Sequence, residues 1–145
     1  MMILDNNDKS ENRKPVDDLL SEHGIFATTQ RKVIAEVLFE RNQHLTAEQL
    51  YDLVKKSGAK VSRATVYNTL GLFAEKGLVR EIFISASKTY YDSNTSRHHH
   101  FFNVDTCDLI DMKERLVPLF LHSDLPQGTA MDTVDLVIRV KNSSH

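Results

Sequence analysis

The feature that most constrains the fold of this chain is a change in the spacing of its apolar residues at Gly77. Before Gly77 they recur every three or four positions, which is the spacing of one helix face. The apolar faces of three successive helices are Val33, Ile34, Val37 and Leu38; Ala47, Leu50, Tyr51 and Val54; and Val66, Leu70 and Phe73. After Gly77 apolar and polar residues alternate, which predicts strands over residues 78–84 and 88–92, joined by a Ser-Ala-Ser turn.

Side chains able to cap helices indicate where the helices begin. Ser and Thr accept hydrogen bonds from the N–H groups of a first turn, and Gln three positions later completes a capping box. Thr46 and Gln49 have this spacing, and Gly24 and Gly77 are typical of helix ends. Helix starts are therefore expected near Pro15, at Thr28 or Thr29, at Thr46 and after Ser62. Three helices followed by a hairpin is the order of a winged helix-turn-helix domain.

The pattern changes again after residue 92. Asn94-Thr95-Ser96 is a polar hinge, and strand candidates follow at residues 101–104, 109–112 and 134–140. Pro118, Pro126 and Gly128 allow only a short helix between the last two. The expected α+β organisation is a disordered tail over residues 1–12, a winged helix-turn-helix DNA-binding domain over 13–92, a hinge over 93–97, and a small α/β dimerisation and sensing domain over 98–145. A domain of about 50 residues is too small to be very stable alone, so we expect a homodimer.

Composition limits the class of protein. The 145 residues are 41% hydrophobic and 26% charged, as in soluble globular proteins. No run approaches the roughly 20 apolar residues of a membrane span, and the N-terminus lacks the apolar core of a signal peptide, so a cytoplasmic protein without a membrane partner is expected. The single cysteine, Cys107, excludes a four-cysteine structural zinc site; we interpret it as a half-buried strand residue.

The charge distribution favours contact between nucleic acid and one half of the chain. The net charge is −2, but residues 24–80 hold nine Lys and Arg against five Asp and Glu. The rest of the chain carries the acidic excess. This asymmetry is compatible with a basic surface that meets phosphates, although a solvated surface could have the same split.

The predicted fourth helix carries residues suited to reading DNA. In a helix-turn-helix the second helix enters the major groove with its N-terminal residues at the base edges. Arginine suits guanine or phosphate, asparagine suits adenine, and a tyrosine ring can contact a thymine methyl group. The candidate DNA contacts are Arg31, Lys60, Arg63, Thr65, Tyr67 and Asn68. The alternative from this pattern alone is a three-helix domain with ordinary exposed polar residues.

A run of three histidines, His98-His99-His100, predicts a metal site. Alternate residues of an extended chain face the same side, so His98 and His100 can converge on one ion while His99 points away. Imidazoles with carboxylates suit zinc, iron or manganese. Asp92 lies six residues before the run, and a hairpin could return Asp111 to it. His44, from the first domain, could also reach the cluster.

The histidine cluster allows more than one function. A site that spans the hinge would couple metal occupancy to the placement of the two domains. A zinc hydrolase is the competing enzyme, but the sequence has no HExxH motif, nucleophile elbow or Gly-rich phosphate loop. A pure interaction module is the third alternative. We expect a regulator rather than an enzyme.

Five segments together resemble the ferric uptake regulator family. They are GIFATTQR (24–31), HLTAEQLY (44–51), ATVYNTL (64–70), KGLV (76–79) and HHHF (98–101). The resemblance implies a DNA-binding regulator with a winged-helix domain hinged to a dimerisation domain, an AT-rich palindromic operator, and Tyr67 as a base contact. It implies a regulatory site for Fe, Mn or Zn at His44, Asp92, His98, His100 and Asp111.

The departures from that family point to one of its branches. Most members carry paired Cys-x-x-Cys motifs for a structural zinc, and these are missing here. A second family metal site is also incomplete, with His99 as its remnant and His122 as a doubtful partner. With the runs YYDSNTSRHHHFF and MDTVDLVIRVK, the chain resembles the iron response regulator branch. That implies control of iron and haem genes, with haem bound through His98, His99 and His100 weakening DNA binding. The alternative is an Fe- or Mn-dependent ferric-uptake or peroxide-type repressor without haem sensing.

Overall fold

The chain divides into two compact units between Thr95 and Ser96. The structure, a computed structural model, describes residues 14–96, 98–113 and 125–144. The predicted disordered tail, Pro118 and His122 lie outside these ranges. Each unit is described by itself below.

Four helices and a three-stranded sheet form the described part of the first unit, residues 14–95. The elements are α1 (Val16–Glu22), α2 (Thr29–Leu38), β1 (His44–Thr46), α3 (Ala47–Lys56), α4 (Arg63–Glu75), β2 (Arg80–Ser85) and β3 (Lys88–Asp92). The three predicted caps are confirmed: Thr28 caps α2, Ser62 caps α4, and Thr46 forms a complete capping box with Gln49 at the start of α3. Local side-chain chemistry therefore sets where these helices begin.

The core of the first unit is made by the helix faces predicted from the 3.6-residue period. Fully buried side chains include Leu20, Ile34, Leu38, Leu50, Val66, Leu70 and Phe73. Phe73 packs at 6.2 Å from the ring of Phe39. Burying one such side chain stabilises the fold by about 1.5–3 kcal/mol, so this cluster holds α2, α3 and α4 together.

A three-residue strand completes the sheet of the first unit and was not predicted. Strand β1 pairs antiparallel with β3, which pairs antiparallel with β2, giving the order β1-β3-β2. The strand has only three residues, His44–Thr46, which is too few for an alternating pattern to be detected in the sequence. The pairing brings His44 opposite Asp92.

The second unit contains a separate three-stranded sheet. Strand β4 (His100–Asn103) lies between β5 (Leu109–Asp111), which is antiparallel to it, and β6 (Val137–Val140), which is parallel. Phe102, Leu109 and Met112 are the buried hydrophobic side chains among its described residues. A parallel neighbour requires a long crossover connection, which agrees with the distance in sequence between the end of β4 at Asn103 and the start of β6 at Val137.

The expectation for Cys107 was wrong. It is exposed, and it lies just before β5 with a positive φ of 61°. Its N–H donates to the carbonyl of Asn103, which closes the turn between β4 and β5. Cys107 is not a strand residue, because β4 ends at Asn103 and β5 begins at Leu109.

Candidate functional site

Two histidines and one aspartate converge in the second unit. His100 pairs with Asp111 across β4 and β5, and the Nε2 atoms of His98 and His100 lie 3.3 and 3.2 Å from the same Oδ1 of Asp111. The two imidazole rings are 4.5 Å apart. The side chain of His100 is 4% exposed and that of His98 is 12% exposed, whereas Asp111 is 51% exposed. One side of the cluster is therefore open at Asp111.

The hydrogen bonding of His98 fits a metal ligand. Its Nδ1 lies 2.7 Å from the backbone carbonyl of Ser96, and a carbonyl can only accept, so Nδ1 carries the proton. In the neutral ring this leaves Nε2, the atom that faces Asp111, as the donor of a lone pair. Metal-bound histidines usually donate their other ring N–H to a carbonyl or carboxylate in this way. The ligand atoms of His98, His100 and Asp111 lie within 4.8 Å of one another, and this donor set suits zinc, iron or manganese.

The other two predicted metal ligands are neighbours in the first unit. His44 and Asp92 are opposite each other in the β1–β3 pair. Asp92 is almost completely buried, at 1% exposed, and its Oδ1 accepts a hydrogen bond from the N–H of Asn94. The ring of His44 packs edge-on against Tyr90. A carboxylate buried this far is costly unless hydrogen bonds or positive charge compensate it.

His99 has a different role from its two neighbours. Its Nδ1 accepts a hydrogen bond from the backbone N–H of Leu136, just before β6, at 3.1 Å. Its carbonyl accepts a hydrogen bond from the N–H of Met112. His99 thus ties β4 to the segments on both sides of it.

The predicted DNA-reading residues of α4 share an acidic neighbour from α3. Arg63 Nε and the hydroxyl of Tyr67 both lie 3.1 Å from Oε1 of Glu48. The guanidinium of Arg63 also stacks over the ring of Tyr51, at 4.8 Å from its centre. Burial first, and then the hydrogen bond to Glu48, raise the pKa of Tyr67 above its ordinary value of 10.0. Tyr67 is therefore a protonated hydrogen-bond donor at neutral pH.

The remaining DNA candidates differ in how free their side chains are. Asn68 and Lys60 are exposed. Thr65 is half-buried, and its hydroxyl is 2.8 Å from that of Ser62 at the helix start. Arg31 donates from Nη1 to the carbonyl of Phe26. Asn68 and Lys60 are thus better presented to a partner than Thr65.

Glu48 was missed by the sequence prediction. It lies in the first turn of α3, where an acidic residue is common because it interacts favourably with the helix dipole. Nothing in its local sequence indicates contact with α4, since that contact depends on how α3 and α4 pack.

A groove of about 540 Å³ runs between the start of α3, α4 and the β2–β3 turn. Tyr67, Tyr91 and Lys88 are among the residues that line it. Burial, and then the negative charge of Glu81, raise the pKa of Tyr91, so it too is a neutral hydroxyl. The groove separates the helix that bears Arg63 from the hairpin.

Comparison with protein families decides the relationship. The sequence model of the ferric uptake regulator family matches residues 22–135, which is most of the chain. The chain belongs to this family. Regulators of the family are DNA-binding and dimeric, and they respond to metals.

Curated relatives agree with this assignment. A ferric uptake regulation protein of Rhizobium leguminosarum bv. viciae is 32% identical over 101 residues, which cover 69% of this chain and 71% of that protein. A peroxide-responsive repressor of Staphylococcus aureus is 31% identical over 94 residues, which cover 65% of this chain and 64% of that protein. The relatives are regulators, so the expectation that the chain is not an enzyme is confirmed.

Solved structures of the family share the fold. The ferric uptake regulator of Pseudomonas aeruginosa with manganese aligns with a TM-score of 0.70 at 23% identity, over 90% of this chain and 100% of that one. The regulator of Vibrio cholerae aligns with a TM-score of 0.70 at 24% identity, over 87% and 98%. The predicted α+β class is therefore confirmed. In the described residues, no helix is long and apolar enough to cross a membrane.

Proposed function

We propose that this protein is a DNA-binding transcriptional regulator that responds to a divalent metal ion bound by His98, His100 and Asp111. The observation that carries the proposal is the convergence of two imidazole nitrogens on one carboxylate oxygen, with the other ring nitrogen of His98 next to a backbone carbonyl, as is usual for metal-bound histidines. A bound ion would supply positive charge next to the carboxylate of Asp111. Iron, manganese and zinc all suit the donor set.

Asp92 and His44 are proposed as the further ligands. Asp92 lies six residues before His98 in the sequence. An extended chain of six residues is at most about 20 Å long, so the two side chains cannot be far apart. The β1–β3 pairing supplies His44 together with Asp92. Because Asp92 and His98 lie on opposite sides of the 93–97 segment, an ion held by both would couple metal occupancy to that segment.

The first unit is proposed to act as the winged-helix DNA-binding domain. Helix α4 supplies Arg63, Tyr67 and Asn68 to base edges, Lys60 and Arg31 contact phosphates, and the β2–β3 hairpin is the wing. Thr65 serves the helix start and contacts DNA through its methyl group. A homodimer would present two such helices to a palindromic, AT-rich operator.

Metal rather than haem is the signal that the geometry favours. A haem iron must approach a ring nitrogen together with its broad planar macrocycle. The side chains of His98 and His100 are nearly buried, and Nδ1 of His99 is engaged by Leu136. The haem-responsive iron branch would need these three rings to become exposed, so we propose the ferric-uptake or peroxide-responsive type of control.

Selection of DNA in the presence and absence of metal tests the proposal. The purified protein is incubated with a randomised duplex library, with Mn²⁺ or with a chelator, and the enriched duplex is then titrated by fluorescence anisotropy. We expect enrichment of a palindrome and at least tenfold weaker binding after chelation. Affinity that is indifferent to chelator would overturn metal control, and the absence of any enriched sequence would overturn DNA reading.

Haemin titration separates the two signals. If haem is the ligand, a Soret band appears and is lost when His98, His99 and His100 are all replaced by alanine. We expect the wild-type protein and this triple variant to give the same weak, non-saturating absorption. A saturable band that is present only in the wild type would restore the haem-responsive alternative.

A further inference from the structure

One carboxylate oxygen of the first unit is shared by two side chains of the proposed DNA-reading helix. Oε1 of Glu48 accepts from Arg63 Nε and from the Tyr67 hydroxyl, each at 3.1 Å. These contacts join the first turn of α3 to the first two turns of α4. All three side chains are exposed, so the cluster lies on the surface rather than in the core.

The contacts use only part of each side chain. Arg63 is engaged through Nε and stacks on Tyr51, so its terminal amino groups make no further hydrogen bond or ion pair with the described residues. The Tyr67 hydroxyl donates to Glu48 and keeps its oxygen lone pairs for a partner. Tyr67 as a whole is 44% exposed, so part of its side chain remains accessible to a partner.

We propose that Glu48 is a positioning residue for DNA recognition: it holds Arg63 and Tyr67 in their reading geometry before DNA binds. This inference rests on the proposed function. Two exposed, flexible side chains would otherwise lose rotamer freedom when DNA binds, and an ordering cost of this kind lowers affinity. Holding them in advance removes that cost, which favours the sequence that matches the held geometry.

The negative charge of Glu48 has a second effect on the same surface. A carboxylate close to DNA phosphates is repelled by them, so it weakens binding to every sequence alike. Contacts that compensate this repulsion are formed only at the matching site. The length of the Glu48 side chain thus increases the ratio of specific to non-specific affinity, because it lets the carboxylate hold both partners. Its charge lowers both affinities.

Three substitutions separate the effect of side-chain length from the effect of charge. Glu48→Asp keeps the charge but shortens the side chain by one methylene, so it cannot hold Arg63 and Tyr67 together. Glu48→Gln keeps the length and the acceptor oxygen but removes the charge. Asp52→Asn removes an exposed charge from the same helix, with no contact to Arg63 or Tyr67 among the described residues, and is the matched control.

The readout is the ratio of Kd for the unselected duplex library to Kd for the duplex that the wild-type protein enriches. Both are measured with Mn²⁺-loaded full-length protein, and thermal unfolding is recorded for each variant. We expect Glu48→Asp to lower the ratio about tenfold, which is within the discrimination given by one well-placed base contact, with little change in non-specific binding. Glu48→Gln and Asp52→Asn should strengthen binding to both the library and the enriched duplex. Both variants should retain most of the wild-type ratio.

The outcomes distinguish this inference from the proposed function. A wild-type ratio in a folded Glu48→Asp protein would overturn the positioning role, and so would an equal loss of ratio in Glu48→Gln and Glu48→Asp. If the wild-type protein enriches no sequence at all, the proposed function itself fails. A merely structural role would instead lower the unfolding temperature and leave the ratio unchanged.

Discussion

His98, His99 and His100 are adjacent in the sequence but have different chemical partners. The rings of His98 and His100 meet at Asp111, whereas His99 accepts a hydrogen bond from the segment before β6. The alternation of an extended chain explains the difference, since successive side chains point to opposite sides. At the residue scale, the metal proposal therefore depends on Asp111, the carboxylate that both rings face.

Replacing Asp111 by alanine tests that dependence. Loss of the shared carboxylate should weaken Mn²⁺ binding by more than the 10- to 100-fold typical of changes to groups that support metal ligands. Isothermal titration calorimetry measures the affinity. Asp108→Ala, three residues earlier and also exposed, is the control and should bind Mn²⁺ like the wild type. Equal affinity in the two variants would remove Asp111 from the site.

At the scale of the element, the end of α4 depends on Gly77. This residue has a φ of 78°, in the left-handed region, with open space where a Cβ would stand. Gly77→Ala should therefore lower the free energy of unfolding by about 1 kcal/mol through backbone strain. Gly71 is exposed within α4 and also has open space, so Gly71→Ala should stabilise by about 0.5–1 kcal/mol. Urea denaturation of both variants would show changes of opposite sign; changes of the same sign would contradict this explanation.

Two phenylalanines of the first unit should differ sharply in their contribution to stability. Phe73 of α4 is fully buried, whereas Phe83 of β2 is 69% exposed. Phe73→Ala leaves a cavity and should cost about 3–5 kcal/mol. Phe83→Ala should change stability by no more than about 0.5 kcal/mol. Thermal unfolding followed by circular dichroism compares them, and similar midpoints would mean that the helix faces do not form the principal core.

At the scale of the whole molecule, the uneven charge distribution predicts how DNA binding depends on salt. If the basic residues of 24–80 neutralise phosphates, log Kd rises with log salt concentration by about 0.9 for each contact. Lys60→Gln should lower this slope by about 1 for each protomer. Lys113→Gln, in the second unit, should leave it unchanged. Equal slopes for all three proteins would exclude Lys60 from the interface.

The described part of the second unit favours association between copies of the chain. Its buried hydrophobic side chains are few, and Val104, Ile110, Leu125 and Met131 are each more than 40% exposed. A unit with so small a core gains stability by burying apolar surface against a partner. Sedimentation equilibrium should give twice the mass of one chain at micromolar concentration, and a monomer under those conditions would contradict the proposed homodimer.

Local chemistry was sufficient to predict the helix starts, the apolar faces and the separation of His99 from its neighbours. Thr46, Gln49 and Ser62 act on groups three residues away, and the periods of helix and strand are intrinsic to the backbone. The change of period at Gly77 belongs to this class as well. Such features depend on residues close in sequence, so they can be predicted without knowledge of the tertiary structure.

Contacts between distant segments could not be predicted in this way. Residues 44–46 form strand β1 because they pair with β3. Glu48 contacts Arg63 and Tyr67 only because α3 packs against α4. Cys107 was misjudged because its exposure depends on the turn that returns β5 to β4. Each depends on the free energy of packing elements far apart in the sequence, which leaves no periodic signal in the residues concerned.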